Sequence, residues 1–357
     1  MALNIVEIVR PLVDPGKRLL KRLAATYWKL HVATSMLMQL GLLIGGGGCS
    51  LKQPRGDDLM RGVDFYPVID FLAALLVSAY TFKMTHGYIP RLAAPSSFSE
   101  HLYVRKFFAP LPIPSLADKL TAREYVRHRL GEDILIPVAW VGDDINELFT
   151  ANLPAGRFVL KANNGCGTNL FLDLPHDLSI KRDIIAKRSS EWLADHFGYA
   201  WGEWQYCTFP GKLFLESFID FNGAGLPDDY KFFCFKGKAR LINFHVDRFA
   251  QHKSALYDPS WKQFPVSYGR ELAHRPRPEN LADMVQVAEA IAAGLDFARI
   301  DLYSDGKRVI KFGEITFTPG DALDRFSDFQ FDLWLGRFFE SGNVPCGEPD
   351  KNSSRTT

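Results

Sequence analysis

The stretch FARIDLYSDGKRVIKFGEITFTPGDALDRF, residues 297–326, decides how this chain folds. FARIDLY (297–303) and RVIKFGEI (308–315) flank Asp305-Gly306, and strand-forming residues around a turn pair predict a β-hairpin. Alternation sets Ile300, Leu302, Ile315 and Phe317 on one face and Arg299, Asp301, Glu314 and Thr316 on the other. The first face reads as core. The second gathers two carboxylates and a hydroxyl beside a guanidinium, and oxygen donors of this kind suit Mg²⁺. With a two-residue turn at 305–306, Asp301 pairs with Ile310. Glu314 is then four residues further on, about 13 Å along a flat strand. That is too far for one ion, so a shared metal requires a bulge near Gly313, a longer turn or strong twist.

Outward from the hairpin, KFFCF (231–235) and ARLINFHV (239–246) flank Lys236-Gly237-Lys238, a second hairpin, with Asp229-Tyr230-Lys231 leading into it. LFLESFI (213–219) reads as a strand that carries Glu216. FVLK (158–161) and residues 169–172 read as strands around Ala-Asn-Asn-Gly-Cys-Gly-Thr, 162–168. In that loop Gly165 and Gly167 allow close backbone approach to a ligand. Successive N–H groups up to Thr168 can cradle phosphate oxygens, and Lys161 places a cation at the base. The spacing matches neither the P-loop nor the dinucleotide fingerprint.

Ser115 is positioned to cap a helix with Asp118 three residues on, a stripe of Leu116, Leu120, Val126 and Leu130, and Gly131 past its end. Lys119 lies on that helix. Ile134–Val138 reads as a short strand and 142–156 as a connector. Ser179 begins a helix running to His196, and 280–293 has helical spacing. Hairpins interleaved with helices predict an α+β protein with antiparallel sheets rather than a doubly wound one.

The composition narrows the classes further. Lys and Arg number 42 against 41 Asp and Glu, a net charge of +1, which argues against a protein built to neutralise nucleic acid. With 47% hydrophobic and 23% charged residues, the chain is not disordered as a whole. Its 5 cysteines are odd in number and form no C-x-x-C pair, against a disulfide scaffold or zinc knuckle and in favour of a reducing compartment.

The first 64 residues read separately, as an extension that is membrane-associated or disordered. Leu30–Leu51 lacks charge and has basic residues upstream, which permits a span. Gly45–Gly48, His31, Thr34, Ser35 and Gln39 dilute it, and residues 17–30 can instead form a basic amphipathic helix on a membrane surface. Met36, Met38 and Met60 are alternative starts. Phe71–Phe82 is too short to span and reads as a buried helix.

Taken in order, PSSFSEHLYVRKFF (95–108), DKLTAREYV (118–126), FVLKANNGCGTNLF (158–171), GEWQY (202–206), DDYKFFCFKGKARLI (228–242) and the 297–326 stretch resemble the TupA-like ATP-grasp family. That family is linked to teichuronopeptide and other cell-envelope polysaccharide synthesis. The resemblance implies two α+β subdomains that clamp ATP, at 151–218 and 219–345, behind an N-terminal helical or α/β portion at 65–150, with a disordered tail at 346–357. It implies an ATP- and Mg²⁺-dependent carboxylate–amine ligase of the cytoplasm or the inner membrane face. By resemblance Lys119, Lys161, Gly165, Gly167 and Thr168 hold the phosphates, and Glu216 faces the ribose. Asp301 and Glu314, with Thr316 in place of the usual Asn, hold the metal. Arg299 steadies developing charge and Lys231 contacts phosphate or acyl phosphate. Two other readings stand beside it: a glycosyltransferase, weakened by the absence of any D-x-D pair, and a non-catalytic ATP-binding protein at a membrane.

Overall fold

The computed structural model describes residues 68–340, apart from 109–110, 195–197, 199–201, 222–226, 247–252 and 270–274. The N-terminal extension and the tail, with every membrane and start-site reading attached to them, lie outside the described residues. Among the described residues no helix is long and apolar enough to cross a membrane.

Two antiparallel sheets carry the architecture, as the interleaved hairpins predict. The small sheet contains β1 (Val138–Gly142), β2 (Gly156–Ala162), β3 (Asn169–Leu174) and β4 (Leu213–Ser217) in the order β1-β4-β2-β3. The large sheet contains β5 (Asp228–Phe235), β6 (Lys238–Val246), β7 (Lys253–Tyr257), β8 (Phe297–Ser304) and β9 (Ile310–Thr316) in the order β7-β6-β5-β8-β9. Lys236 and Gly237, both with positive φ, make the two-residue turn between Phe235 and Lys238.

In chain order the helices are α1 (Val68–His86), α2 (Phe98–Phe107), α3 (Lys119–Leu130), α4 (Ile145–Thr150), α5 (His176–Ile180), α6 (Arg182–Ala194), α7 (Leu281–Ala292) and α8 (Phe329–Glu340). Residues of α1, α2, α3, α7 and α8 share one continuous core with the large sheet. A second core, with Leu148 of α4 and Ile185 of α6 against Phe158, Leu160, Leu172 and Leu215, serves the small sheet. Phe71, Leu75, Ala79 and Phe82 form the buried face of α1, as the apolar run implies.

Several local readings are corrected. Residues 134–137 are not strand. The strand begins at Val138 and pairs with β4, so the small sheet recruits a segment upstream of the boundary expected at 151. The 142–156 connector contains α4, whose N-cap is Asp144 accepting from the Asn146 N–H at 2.9 Å; an acid-rich stretch reads as loop or as cap, and here it caps. The cap of α3 is Asp118, not Ser115: its carboxylate accepts from the Leu120 N–H at 2.9 Å and the Thr121 hydroxyl at 2.8 Å. Ser115 lies in a 3₁₀ turn, Pro114–Ala117. The buried face of α3 is Ala122, Arg123 and Val126, with Leu120 and Leu130 only half-buried, and Gly131 (φ +85°) closes it. Ser179 lies inside α5, and a break at Lys181 separates α5 from α6.

α8 packs closely on the start of α2. A Cβ added at Gly336 would stand 2.2 Å from the Ser96 carbonyl oxygen, a backbone atom that has nowhere to go. Gly336→Ala gains about 1 kcal/mol of helix propensity and should nonetheless destabilise the protein by about 1–3 kcal/mol through overpacking. Urea denaturation checks the sign: an unchanged or raised midpoint would mean that the two helices do not meet this closely.

Candidate active site

Every neighbouring residue pair on β8 and β9 depends on the turn between them. Ser304 pairs with Ile310, so the loop has five residues, 305–309, instead of two. Asp305 builds it, accepting from the backbone N–H groups of Lys307, Arg308 and Val309 at 2.8–2.9 Å. Between Asp301 and Leu302 the register shifts once more, because Leu302 pairs with Phe312 and Asp301 with Glu314. Gly313 is the extra residue. A Cβ there would come within 3.1 Å of the Asp301 carbonyl oxygen and 3.2 Å of the Tyr303 ring, so a side chain at the bulge would push these neighbours back by a few tenths of an ångström. A longer turn and a bulge thus close the separation that a simple hairpin would leave. The two acids face each other directly.

Arg299, opposite Thr316, ties the group together. It donates from Nε to Asp301 Oδ1 at 2.7 Å, and from Nη2 to Asp301 Oδ2 at 2.8 Å, Glu314 Oε1 at 2.9 Å and Thr316 Oγ1 at 3.0 Å. Burial works against its charge, yet the Asp301 and Glu314 carboxylates hold the guanidinium well above its ordinary value. On the next strand Lys231, directly across from Asp301, bonds it and also pairs with Asp229 at 2.8 Å. Two cations therefore stand on three carboxylates, with Asp301 and Asp229 almost fully buried and Glu314 about one-third exposed at its side chain. Among the described residues no group of three His, Cys, Asp or Glu is arranged to hold a metal. Asp301, Glu314 and Thr316 offer an incomplete set of oxygen donors, which fits an ion that keeps phosphate and water ligands, as Mg²⁺ does.

The glycine loop approaches from the small sheet. Gly165 (φ +71°) and Gly167 (φ +74°) both take the left-handed conformation that other residues resist. Thr168 Oγ1 accepts from the Ala162 N–H at 3.3 Å and closes the loop on the end of β2. Asn163, almost fully buried, donates to Asp118 Oδ1 at 3.0 Å and accepts from the Lys212 N–H at 2.7 Å, tying the loop to the cap of α3. The first helical residue after that cap is Lys119. Its Nζ donates to the Gly165 carbonyl at 2.6 Å. Burial pushes the Lys119 ammonium down, Glu314 draws it back up and Lys161 opposes it. Residues from α3, β2 and β9 thus act on one another across the same space.

Lys161 reaches Glu216 on the adjacent strand, and Arg123, one turn beyond Lys119 on α3, holds the other carboxylate oxygen of Glu216 at 2.9 Å. Glu216, expected to face a ribose, is engaged by two cations. Lys161 and Glu216 line a cleft between the two sheets together with Val159, Phe218, Pro227 and Tyr303, with a cavity volume of about 80 Å³. Tyr303 of β8 reaches this cleft, whereas Asp301 is not among its lining residues, and Lys119, on which Lys161 and Glu314 both act, relates the two groups. Cys166, exposed at the tip of the loop, has its thiol pushed up by partial desolvation and then by Glu203 and Glu314, which does not favour a thiolate nucleophile.

Three site residues escaped the reading of the sequence. Arg123 had a signal, four positions after Lys119 and so on the same helix face. Asp229 had one too, two before Lys231 on a strand. Asn163 had only its place in the loop.

No curated protein matches the sequence. Among solved structures, the ATP-grasp ligase PsnB complexed with minimal precursor aligns with 14% identity and a TM-score of 0.34, over 61% of this chain and 59% of that one. A D-alanine–D-alanine ligase from Bacillus anthracis aligns with 16% identity and a TM-score of 0.33, over 59% and 60%. An L-amino acid ligase from Bacillus licheniformis aligns with 14% identity and a TM-score of 0.40, over 70% and 56%. The chain spans less than two thirds of the length of each, and likeness this distant carries no argument about activity. The family model described as TupA-like ATP-grasp is different in kind, because it matches residues 102–340. That range runs from within α2 to the end of α8, through both sheets and the cleft between them, and the chain accordingly belongs to the TupA-like ATP-grasp family.

Proposed function

We propose that the chain is an ATP- and Mg²⁺-dependent carboxylate–amine ligase, with the triphosphate lying in the cleft between the sheets. The observation that carries this reading is Lys119: a desolvated ammonium whose hydrogen bond goes to a neutral carbonyl in the glycine loop, close to Lys161 and Glu314. Leaving a half-buried cation against a carbonyl is costly, and a phosphate group beside it would remove the cost. Phe218, Val159 and Tyr303 supply an apolar lining suited to a flat base.

In this reading Lys119 and Lys161 neutralise the phosphates, the N–H groups of 165–168 cradle them, and Glu216 sets the Lys161 ammonium at the cleft floor and faces the ribose. Asp301, Glu314 and Thr316 hold Mg²⁺, which when bound neutralises phosphate charge. Arg299 and Lys231 face the negative charge that develops as a substrate carboxylate takes the γ-phosphoryl group to give an acyl phosphate and ADP. An amine then displaces phosphate and an amide remains. Family membership supports a place in cell-envelope polysaccharide assembly, and the need for ATP supports a cytoplasmic site for the reaction.

Incubation with Mg-ATP and mixtures of carboxylic acids and amines should release ADP and phosphate in equal amounts, only when both partners are present; absence of ATP binding by calorimetry would end the proposal. Glu314→Gln should lower turnover about a hundredfold to a thousandfold, with the thermal midpoint kept within about 2 °C. A fully active variant would remove Glu314 from the site. Lys119→Met should weaken ATP binding about tenfold or more by calorimetry, and an unchanged dissociation constant would take Lys119 out of the phosphate site.

A further inference from the structure

Beyond the hairpin and the glycine loop, a second cluster of charged groups is closed off beside them. Glu203 and Lys106 are almost fully buried, and the Asp321 side chain is 17% exposed. Lys106 Nζ pairs with Asp321 at 2.7 Å and donates to Ser78 Oγ at 2.8 Å. Glu203 accepts from the Thr318 hydroxyl and from Gln205 Nε2 at 3.4 Å, and Gln205 Nε2 also bonds Thr318 Oγ1 at 3.1 Å. The charged groups that act most strongly on Glu203 are Asp321 and Lys106. Among the described residues the cluster therefore holds two carboxylates and one cation, one positive charge short.

Two further observations point outward from it. The amide end of Gln205 lies inside the cluster, the residue is 1% exposed, and its Oε1 has no hydrogen-bond partner among the described residues. Asp321 Oδ2 has none either. Buried acceptors of this kind are normally satisfied, and these wait for a donor. The location is also specific. Thr318 lies two residues beyond Thr316, and Glu203 and Glu314 both act on Cys166 in the glycine loop and on Tyr206. The cluster thus adjoins the place where the acyl phosphate would form.

We propose that Glu203, with Gln205, Thr318 and Asp321, receives the protonated amino group of the acceptor substrate. The assignment rests on the carboxylate–amine ligase reading and names the class of its second substrate: a primary alkylammonium, recognised by charge and by N–H donation. An ammonium brings the missing charge and three donors to a site with orphaned acceptors. Without it, burial and then Asp321 push the Glu203 carboxyl up to about 8, the response of an acid that lacks a cation.

The test uses the full chain, with ethanolamine hydrochloride as the probe, ethylene glycol as its neutral counterpart and potassium chloride as an inorganic cation, at matched ionic strength. Calorimetry should give saturable ethanolamine binding, none for ethylene glycol, and no competition from potassium. Glu203→Gln should weaken ethanolamine about tenfold or more and leave the Mg-ATP dissociation constant within about twofold. Gln205→Glu, alone or added to that variant, should tighten ethanolamine, because it puts a carboxylate back in the same cluster. Equal binding by wild type and Glu203→Gln, no gain from Gln205→Glu, equal binding of ethylene glycol, or displacement by potassium would each overturn the assignment. If Mg-ATP binds while ammonium selectivity is missing, only the acceptor site falls; if Mg-ATP does not bind, the ligase reading falls with it.

Discussion

Arg299 bonds Asp301, Glu314 and Thr316 at once, and the rest of the site depends on that contact. Two acids facing each other across a hairpin repel and lose hydration. A planar cation with several donors offsets both costs where a single lysine would not. Lys231 and Asp229 extend the same compensation to the adjacent strand, so the acidic row is held in place before any ligand arrives. Preorganised charge of this kind is what a phosphoryl-transfer site requires of its protein.

The small sheet answers with the opposite sign. Arg123 and Lys161 clasp Glu216, and Asn163 fastens the glycine loop to the Asp118 cap, which sets Lys119 in the first turn of α3. The cations thus come from a helix and a sheet belonging to different cores, and the acids from a third element.

Much of this was legible in the order of residues. Alternation in FARIDLY and FGEIT assigned the acids and the core residues to opposite faces, since side chains on a strand alternate whatever the partner does. The paired glycines marked a backbone position that other residues avoid, and both have positive φ. Capping was less legible: Ser115, Asp118 and Asp144 are all good caps by composition, and only the helix that forms decides among them.

The sequence by itself determined the hairpins, the glycine loop and which side of each strand is polar, because these follow from local periodicity and turn chemistry. Tertiary structure alone decided that Asp301 faces Glu314. That depends on a five-residue loop, on a bulge at Gly313 and on the close approach of Tyr303, none of which a period of two encodes. It alone also brought Lys119 within reach of Lys161 and Glu314, and placed Glu203 beside Asp321 and Lys106. Charge balance in a desolvated space is a property of neighbours distant in sequence, so no local pattern records it.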